Sequence, residues 1–348
     1  MRAGCMTWFA GIVAILAAAA ARAQDADQLY ARAKDEKTLV VYSGGPAAPY
    51  ERMAKEFERR YPGITVSVTG GFSNVLDRKI DDQLAAQKLE VDMAFLQTAQ
   101  DFVRWKGAGR LLRFKPNGYE RIDPRFRDED GAFTTTSVVL LTYAYNTKLV
   151  APAEVPTSAL DFLKPQFFGK LMTAYPADDD ATLYVFDTIV KRYGWDYMTK
   201  YMAQRPSFVQ GHLEVLRSIA AGTNLVTFDA TSSTTGALKR SGQPIELAFP
   251  TGDAMPTFFV TAGIFKDAPH PNAARLFLDW YMAKEQQSRL GTYSARTDVA
   301  PPDGLEPLSA YNIEAGYLQL VSDRTRLNEL RQRFESYTGP VVNKGGVR

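Results

Sequence analysis

A short apolar strand followed by an amphipathic helix occurs three times in succession near the start of this chain, and this rhythm constrains the fold most. The strands are predicted at 38–42, 64–68 and 91–96. The helices between them repeat apolar residues at helical spacing, and Pro62-Gly63 ends the first helix. Strands that alternate with helices in this way form a mostly parallel sheet with helices on both faces. The sequence therefore predicts an α/β architecture.

A second group of similar elements follows. Apolar strands are predicted at 137–145, 171–175 and 225–228, and further strands at 245–250 and 258–265. A chain of 348 residues is too long for one minimal domain and long enough for two lobes, each with its own core. We therefore expect a second α/β lobe.

Residues 1–23 are predicted to be a cleavable signal peptide. Arg2 precedes an apolar run from Trp8 to Ala21, and Ala21 and Ala23 are small residues at the two positions that signal peptidase reads. The apolar run is short for a membrane span, although an uncleaved anchor is the alternative. We expect cleavage after Ala23 and export to the periplasm.

Composition argues against several classes of function. The single cysteine, Cys5, lies in the predicted signal, so the mature chain has no thiol for disulfides, catalysis or metal binding. Loss of Arg2 and Arg22 with the signal leaves equal numbers of basic and acidic residues. An interspersed, balanced charge does not match the basic surface that nucleic-acid binding requires, so we expect no nucleic-acid partner.

Enzymatic motifs are also missing from the sequence. It contains no Gly-x-Ser-x-Gly, no phosphate-binding Gly-Lys-Ser/Thr loop, no His-Glu-x-x-His and no dinucleotide fingerprint. A catalytic pair of carboxylates has no such motif and stays an alternative. His212 is predicted in an exposed loop and His270 at a helix start, and two isolated histidines do not form a typical zinc site. We therefore predict a protein that is not an enzyme and that has no cofactor and no metal.

Polar and glycine residues that follow the first three strands are candidate ligand contacts. Ligands of open α/β sheets bind outside the carboxyl ends of the strands. Backbone N–H groups and hydroxyls at helix N-termini there suit a carboxylate, phosphate or phosphonate, whereas simple turns and caps are the alternative. These candidates are Ser43, Gly44, Gly71, Ser73, Asn74 and Gln97.

The second half of the chain adds two groups of candidates. Asp178 begins an acidic triplet before a helix predicted near Thr182, where carboxylates favour the helix dipole or bind a cationic group of a ligand. Asp229, Thr231 and Ser232 are predicted to end a strand at a cleft edge, as ligand contacts or as an ordinary helix cap. A zwitterion with its anion on the first lobe and its amine on the triplet would satisfy both groups.

Several segments resemble the periplasmic solute-binding proteins of ABC importers, in the branch that includes ferric-ion, phosphonate, sugar-phosphate and polyamine binders. Together, in this order, the matching segments span most of residues 38–292. They are Leu39 to Ser43, Met53 to Ile64, Asp161 to Pro165, Phe168 to Lys170, Gly242 to Pro244, Pro250 to Gly252, Ala268 to Ala274, and Phe277 to Trp280.

The resemblance implies the type II fold, in which two doubly wound α/β lobes joined by crossover strands close on a solute. The crossovers would lie near 137–145 and 247–250. Lobe 1 would then comprise 24–136 plus 248–298, and lobe 2 would comprise 137–247 plus 299–348. It also implies delivery of the solute to an ABC permease in the inner membrane, and we expect a monomer.

The ligand class stays open at this stage. Ferric binders of the family carry two adjacent tyrosines just after the strand that here ends at Phe228, and this chain has Asp229-Ala230-Thr231-Ser232-Ser233 instead. We therefore expect an organic anion or zwitterion such as a phosphonate, sugar phosphate or carboxylate. A polyamine or ferric ion is the alternative ligand within the same fold, and a hydrolytic enzyme or a receptor-docking sensor is an alternative role.

Overall fold

The structure is a computed structural model that describes residues 26–342. The predicted signal peptide lies outside the described residues. A helix at 26–36 (α1) precedes the predicted strand–helix series. That series consists of β1 (Thr38–Gly44), α2 (Ala48–Arg60), β2 (Thr65–Gly71), α3 (Ser73–Ala85), β3 (Met93–Leu96) and α4 (Ala99–Gly107).

The remaining elements alternate strands and helices, with short 3-10 turns between them. The elements up to the second long strand are β4 (Thr134–Asn146), β5 (Met172–Ala174), α5 (Asp180–Tyr193), α6 (Asp196–Ala203), β6 (Ser207–Val209), α7 (His212–Ala221), β7 (Val226–Thr231), α8 (Ser232–Arg240), β8 (Ile245–Ala248) and β9 (Met255–Ile264). The chain then forms α9 (Pro271–Met282), α10 (Lys284–Gln287), β10 (Tyr293–Ser294), β11 (Ile313–Glu314), α11 (Tyr317–Ser322) and α12 (Arg324–Thr338). No helix within 26–342 is long and apolar enough to cross a membrane.

The sheet of the first lobe is mixed. β1 pairs in parallel with β2 and β3, as the strand–helix rhythm predicts. β9 then pairs antiparallel with β3 and with β4, and β10 pairs antiparallel with β4. The prediction of a parallel sheet therefore holds for the first three strands, whereas the strands that return from later in the chain run the other way.

The long strand β4 belongs to both lobes. Its residues Thr134 to Leu140 pair with β9, and its residues Leu141 to Asn146 pair with β7 and β8. A single strand therefore carries hydrogen bonds of both lobes, and β9 returns beside it after β8. The expected crossover at 137–145 lies within β4, while the residue limits assigned to the two lobes stay a prediction.

Interlocking aromatic rings fill the core on each side of β4. Phe95 of β3 packs edge-on against Phe277 of α9, with ring centroids 6.2 Å apart. Phe228 of β7 packs edge-on against Phe162 and Phe186 at 5.3 and 5.0 Å. Such pairs add to the free energy of burial, and they pack the strands on each side of β4 closely against their helices.

Candidate functional site

A cleft of about 520 Å³ lies where the predicted ligand-binding loops converge. Its first wall consists of the β2–α3 and β3–α4 connections together with the start of α3. Its second wall consists of the start of α5, the turn before α7, and one residue each from α11 and α12. A volume of this size suits a small metabolite. Of the predicted residues, the cleft brings together Ser73, Asn74, Gln97 and Asp178.

The first wall presents hydroxyl and amide groups. Ser73 is the first residue of α3, and its Oγ accepts a hydrogen bond of 3.1 Å from the Gln97 N–H. Thr98 lies just before α4, and its buried Oγ1 has no hydrogen-bond partner in the described part of the chain. Because buried polar atoms usually have a partner and Thr98 lines the cleft, Thr98 Oγ1 is a candidate for a ligand contact. Asn74 is exposed beside them.

Three predicted residues of the first lobe, Ser43, Gly44 and Gly71, do not line the cleft. The sequence placed Ser43 and Gly44 at a helix N-terminus, but β1 continues through both and α2 begins only at Ala48. A Cβ on Gly44 would lie 2.3 Å from Ser73 Oγ, so this glycine leaves room for the Ser73 side chain. Gly71 ends β2, and the atoms nearest to a Cβ there would belong to the Leu76 side chain, at ordinary contact distances of 3.5 Å or more.

The three carboxylates of the acidic triplet in the second wall have different partners. Asp179 caps α5, since its Oδ1 accepts from the N–H groups of the two residues that follow Asp180, at 2.8 and 3.1 Å. Asp180 forms an ion pair of 2.5 Å with Arg331 of α12. Asp178 accepts one hydrogen bond of 2.9 Å from Gln210 Nε2. The helix-cap interpretation is therefore right for Asp179, and Asp178 is left to face the cleft.

His212 is not the exposed loop residue that the sequence suggested. It is the first residue of α7, its side chain is 10% exposed, and it lies between two carboxylates. Its Nδ1 is 3.3 Å from Asp229 Oδ1 and its Nε2 is 3.4 Å from Asp179 Oδ2. Burial alone would lower the pKa of His212, but the two carboxylates outweigh burial and raise this pKa well above 6.5. His212 is therefore a buried imidazolium at neutral pH.

Asp229 also differs from its predicted position. It lies inside β7 rather than at its end, it has no exposed surface, and it does not line the cleft. Its Oδ2 accepts hydrogen bonds from the Ala174 N–H at 2.9 Å and from Thr182 Oγ1 at 3.1 Å. The strand continues beyond Phe228 because β7 pairs with β4 as far as Thr231. Asp229 is thus a buried structural carboxylate next to His212.

Thr231 and Ser232 lie at the junction of β7 and α8. Both side chains are buried, and within 26–342 neither hydroxyl has a hydrogen-bond partner. Neither residue lines the cleft of about 520 Å³. A ligand contact of these two residues stays a prediction.

Sequence reasoning missed several residues of the cleft. Thr98 follows a predicted candidate directly, so its position after a strand was a usable signal. Arg78 lies one helical turn beyond Asn74 on α3, and helical spacing places it on the same face. Tyr317 and Arg331 come from the last two helices and carried no sequence signal, because their proximity to the cleft depends on how those helices pack.

The two walls approach each other closely at two places. The Tyr317 hydroxyl donates a hydrogen bond of 3.3 Å to the main-chain oxygen of Gln97. Across the opening, the Phe72 ring lies 3.7 Å from the position that a Cβ on Gly211 would occupy. The cleft is therefore narrow, and a solute inside it contacts both walls.

A second cavity, of about 250 Å³, lies between β4, α5 and β9. Its main polar group is Asp253, which accepts hydrogen bonds from Tyr143 at 2.8 Å, Tyr193 at 2.5 Å and the Ala159 N–H at 2.6 Å. Arg192 pairs with the same carboxylate at 2.9 Å. Because these partners satisfy Asp253, the cavity offers few free polar groups to a solute. Over the described residues, no group of three or more His, Cys, Asp or Glu side chains is arranged to hold a metal ion.

Comparison with known proteins shows the family. Residues 38–293 match the family of bacterial extracellular solute-binding proteins, which is well over half of the chain. No curated protein sequence matches this chain. Among solved structures, the chain is similar to the periplasmic binding protein AfuA from Actinobacillus pleuropneumoniae with exogenous fructose-6-phosphate bound. That likeness has 18% identity and a TM-score of 0.74, and it covers 87% of this chain and 99% of AfuA.

Two further structures have the same fold. Iron-bound HitA from Pseudomonas aeruginosa is 18% identical with a TM-score of 0.71, over 85% of this chain and 99% of HitA. The substrate binding protein of an ABC transporter from Agrobacterium tumefaciens is 16% identical with a TM-score of 0.75, over 87% of this chain and 95% of that protein. With the family match, these likenesses show that the chain belongs to the bacterial extracellular solute-binding proteins and has the two-lobed fold of the type II periplasmic binding proteins.

Proposed function

We propose that this protein is the periplasmic solute-binding component of an ABC importer, and that it captures a small polar organic solute in the cleft of about 520 Å³. The observation that carries the proposal is the arrangement of the two walls, which surround one volume with hydroxyl, amide and carboxylate groups. The family match and the likeness to an ABC transporter's substrate binding protein support the role in import. The predicted signal peptide supports a periplasmic location.

Lobe closure supplies the mechanism of capture. A solute favours the closed form only if it gains contacts there that the open form lacks. A solute between Thr98 of the first wall and Asp178 of the second wall gains such contacts, since it touches both only when the walls meet. A near-complete switch from open to closed requires a preference of about 5.5 kcal/mol for the closed form. The closed, monomeric protein would then dock on its permease.

The cleft favours an organic anion or zwitterion over ferric ion. Ferric ion prefers several anionic oxygen ligands, and two of the three carboxylates of the triplet are engaged by His212 and Arg331. Tyr317 lines the cleft, but its hydroxyl donates to a main-chain oxygen. The groups that remain, including Thr98 and Asn74, are hydrogen-bonding groups suited to a phosphonate, sugar phosphate or carboxylate. We propose binding without turnover.

The test is to identify the bound solute and then to remove one contact. The purified protein is denatured, and the released solute is identified by mass spectrometry and by metal analysis. The refolded protein is then titrated calorimetrically with phosphonates, sugar phosphates, carboxylates, polyamines and ferric citrate. We expect an organic anion or zwitterion to bind and to be recovered unchanged. Stoichiometric iron, or chemical conversion of the solute, would contradict the proposal.

Thr98→Val provides the matched variant, because it replaces an unpartnered buried hydroxyl by a methyl group of the same shape. We expect an affinity lower by about fivefold to tenfold, the effect of one hydrogen bond. Thr134→Val is the control, since Thr134 Oγ1 is equally buried and unpartnered among the described residues but lies away from the cleft. Equal affinities of the two variants would contradict a contact between Thr98 and the solute.

A further inference from the structure

Two charged side chains on opposite walls of the cleft have no oppositely charged group within ion-pair distance among the residues that the structure describes. Arg78 lines the first wall from α3, and Asp178 lines the second wall before α5. Within 26–342, Arg78 has no carboxylate and Asp178 has no cationic group within ion-pair distance. All other charged side chains that line this cleft are paired: Asp179 with His212, and Asp180 with Arg331.

The carboxyl group next to Arg78 in sequence does not cancel its charge. Asp77 is partly buried, and burial together with the nearby Asp101 raises the pKa of Asp77 to about 7. A carboxyl with a pKa of about 7 is about half protonated at neutral pH and largely protonated below it, so Asp77 offsets only part of the Arg78 charge. Arg78 thus keeps a net positive charge at the cleft.

Neighbouring groups give each wall a matching hydrogen-bonding character. Beside Arg78, the main-chain N–H groups of Ser73 and Asn74 belong to the first turn of α3, where helix geometry supplies no acceptor. Thr98, a residue that is 6% exposed and lines the cleft, adds a hydroxyl without a partner among residues 26–342. These donors and the guanidinium suit an anionic group. On the opposite wall, Asp178 offers a carboxylate acceptor that suits an ammonium group.

Resting on the proposed function, we propose that the solute is a small zwitterion, with a carboxylate or phosphonate against Arg78 and Thr98 and a primary ammonium against Asp178. Closure removes water from both charges, and an unpaired charge in such a place is costly. A simple anion would leave Asp178 without a counter-charge, and a polyamine would leave Arg78 without one. The cleft would therefore reject both classes by the same two residues that hold the zwitterion.

The first experiment compares three probes with one carbon skeleton: 2-aminoethylphosphonate, ethylphosphonate and ethylamine. Each is titrated into the purified protein by calorimetry at pH 7 and low salt. We expect the zwitterion to bind at least about tenfold more tightly than either singly charged probe, because each added charge pair across a closed cleft is worth about that factor or more. Tighter binding of ethylphosphonate or ethylamine, or no response to any probe, would overturn the zwitterion assignment.

The second experiment removes one charge of the cleft at a time and measures the affinity for each of the three probes. Arg78→Gln is expected to weaken the binding of 2-aminoethylphosphonate by about tenfold or more and to leave the binding of ethylamine unchanged. Asp178→Asn is expected to weaken the binding of 2-aminoethylphosphonate by a similar factor and to leave the binding of ethylphosphonate unchanged. Arg52→Gln and Asp303→Asn are matched controls, since both residues are exposed and lie away from the cleft. Equal effects of the cleft variants and their controls would overturn the assignment. Failure of the proposed function is a different result, because it would appear as iron or a converted solute in the mass spectrometry and metal analysis of the wild-type protein.

Discussion

The Tyr317 hydroxyl lies 3.3 Å from the main-chain oxygen of Gln97 and donates a hydrogen bond to it. Tyr317 is the first residue of α11 and is almost fully buried, and its ring lies 5.8 Å from the ring of Tyr184 in α5. Gln97 belongs to the β3–α4 connection of the opposite wall. This hydrogen bond therefore joins the C-terminal helices to the first wall across the edge of the cleft.

Removal of that hydroxyl is expected to favour opening. In Tyr317→Phe the ring still packs, but the bond to Gln97 is lost, which costs about 0.5–1.5 kcal/mol of the closed form. We expect small-angle scattering of the solute-free variant to show a larger radius of gyration than that of the wild type. Tyr30→Phe is the control, because the Tyr30 hydroxyl also donates to a main-chain oxygen, that of Pro62, far from the cleft. Equal radii of gyration for wild type and Tyr317→Phe would contradict the view that this hydrogen bond stabilises the closed form.

A methyl group at Gly44 is expected to disturb the first wall, whereas the same change at Gly71 is not. The Gly44 Cβ would lie 2.3 Å from Ser73 Oγ, so Ser73 must move and lose its bond to the Gln97 N–H. We expect Gly44→Ala to lower the free energy of unfolding by about 1–3 kcal/mol. The Gly71 Cβ would lie at least 3.5 Å from its neighbours.

Urea denaturation of both variants measures this difference. The clash explanation also predicts that Gly44→Ala costs less in a Ser73→Ala background, since the hydroxyl that it meets is gone. An unchanged cost in that background would show that Ser73 is not the reason for the glycine.

Asp229→Ala is expected to lower the free energy of unfolding of the solute-free protein. A residue that only contacts the ligand would leave this free energy unchanged. The variant leaves the buried imidazolium of His212 with one carboxylate instead of two, and it leaves the Ala174 N–H without its acceptor. Removing one partner of a buried ion pair costs about 3–5 kcal/mol. The measurement is the free energy of unfolding of the solute-free protein, with Asp303→Ala as an exposed control. A loss below 1 kcal/mol, on the order of one surface substitution, would contradict this structural role.

The stabilisation by His212 is expected to fade at alkaline pH. Its pKa in the folded protein is raised well above 6.5, after the carboxylates of Asp229 and Asp179 outweigh the effect of burial. A group with a raised folded pKa binds more protons in the native than in the unfolded state, so its contribution falls as pH rises. The contribution is complete below the unfolded pKa of about 6.5 and disappears as pH rises through the folded pKa.

Urea denaturation from pH 6 upward compares wild type with His212→Gln, which keeps a hydrogen-bonding side chain but carries no charge. We expect the difference in unfolding free energy between the two proteins to be largest near pH 6 and to shrink towards alkaline pH. A difference that stays constant with pH would show that His212 acts as a neutral side chain.

The sequence alone determined the strand–helix alternation, the ends of several elements and part of the first wall. These features depend on local patterns, namely apolar periodicity, helix stops and polar residues after strands. Ser73, Asn74 and Gln97 were found in this way, because the carboxyl ends of neighbouring parallel strands meet at one edge of the sheet. The acidic triplet was found as a helix start, and Asp178 lines the cleft.

Only the tertiary structure decided the electrostatics and the rest of the second wall. His212 looked isolated in the sequence, yet packing of α7 against β7 places it between Asp229 and Asp179. Arg331 and Tyr317 reach the cleft from helices far along the chain. Which carboxylate is capped, paired or free depends on partners remote in sequence, and a local pattern carries no information about such partners.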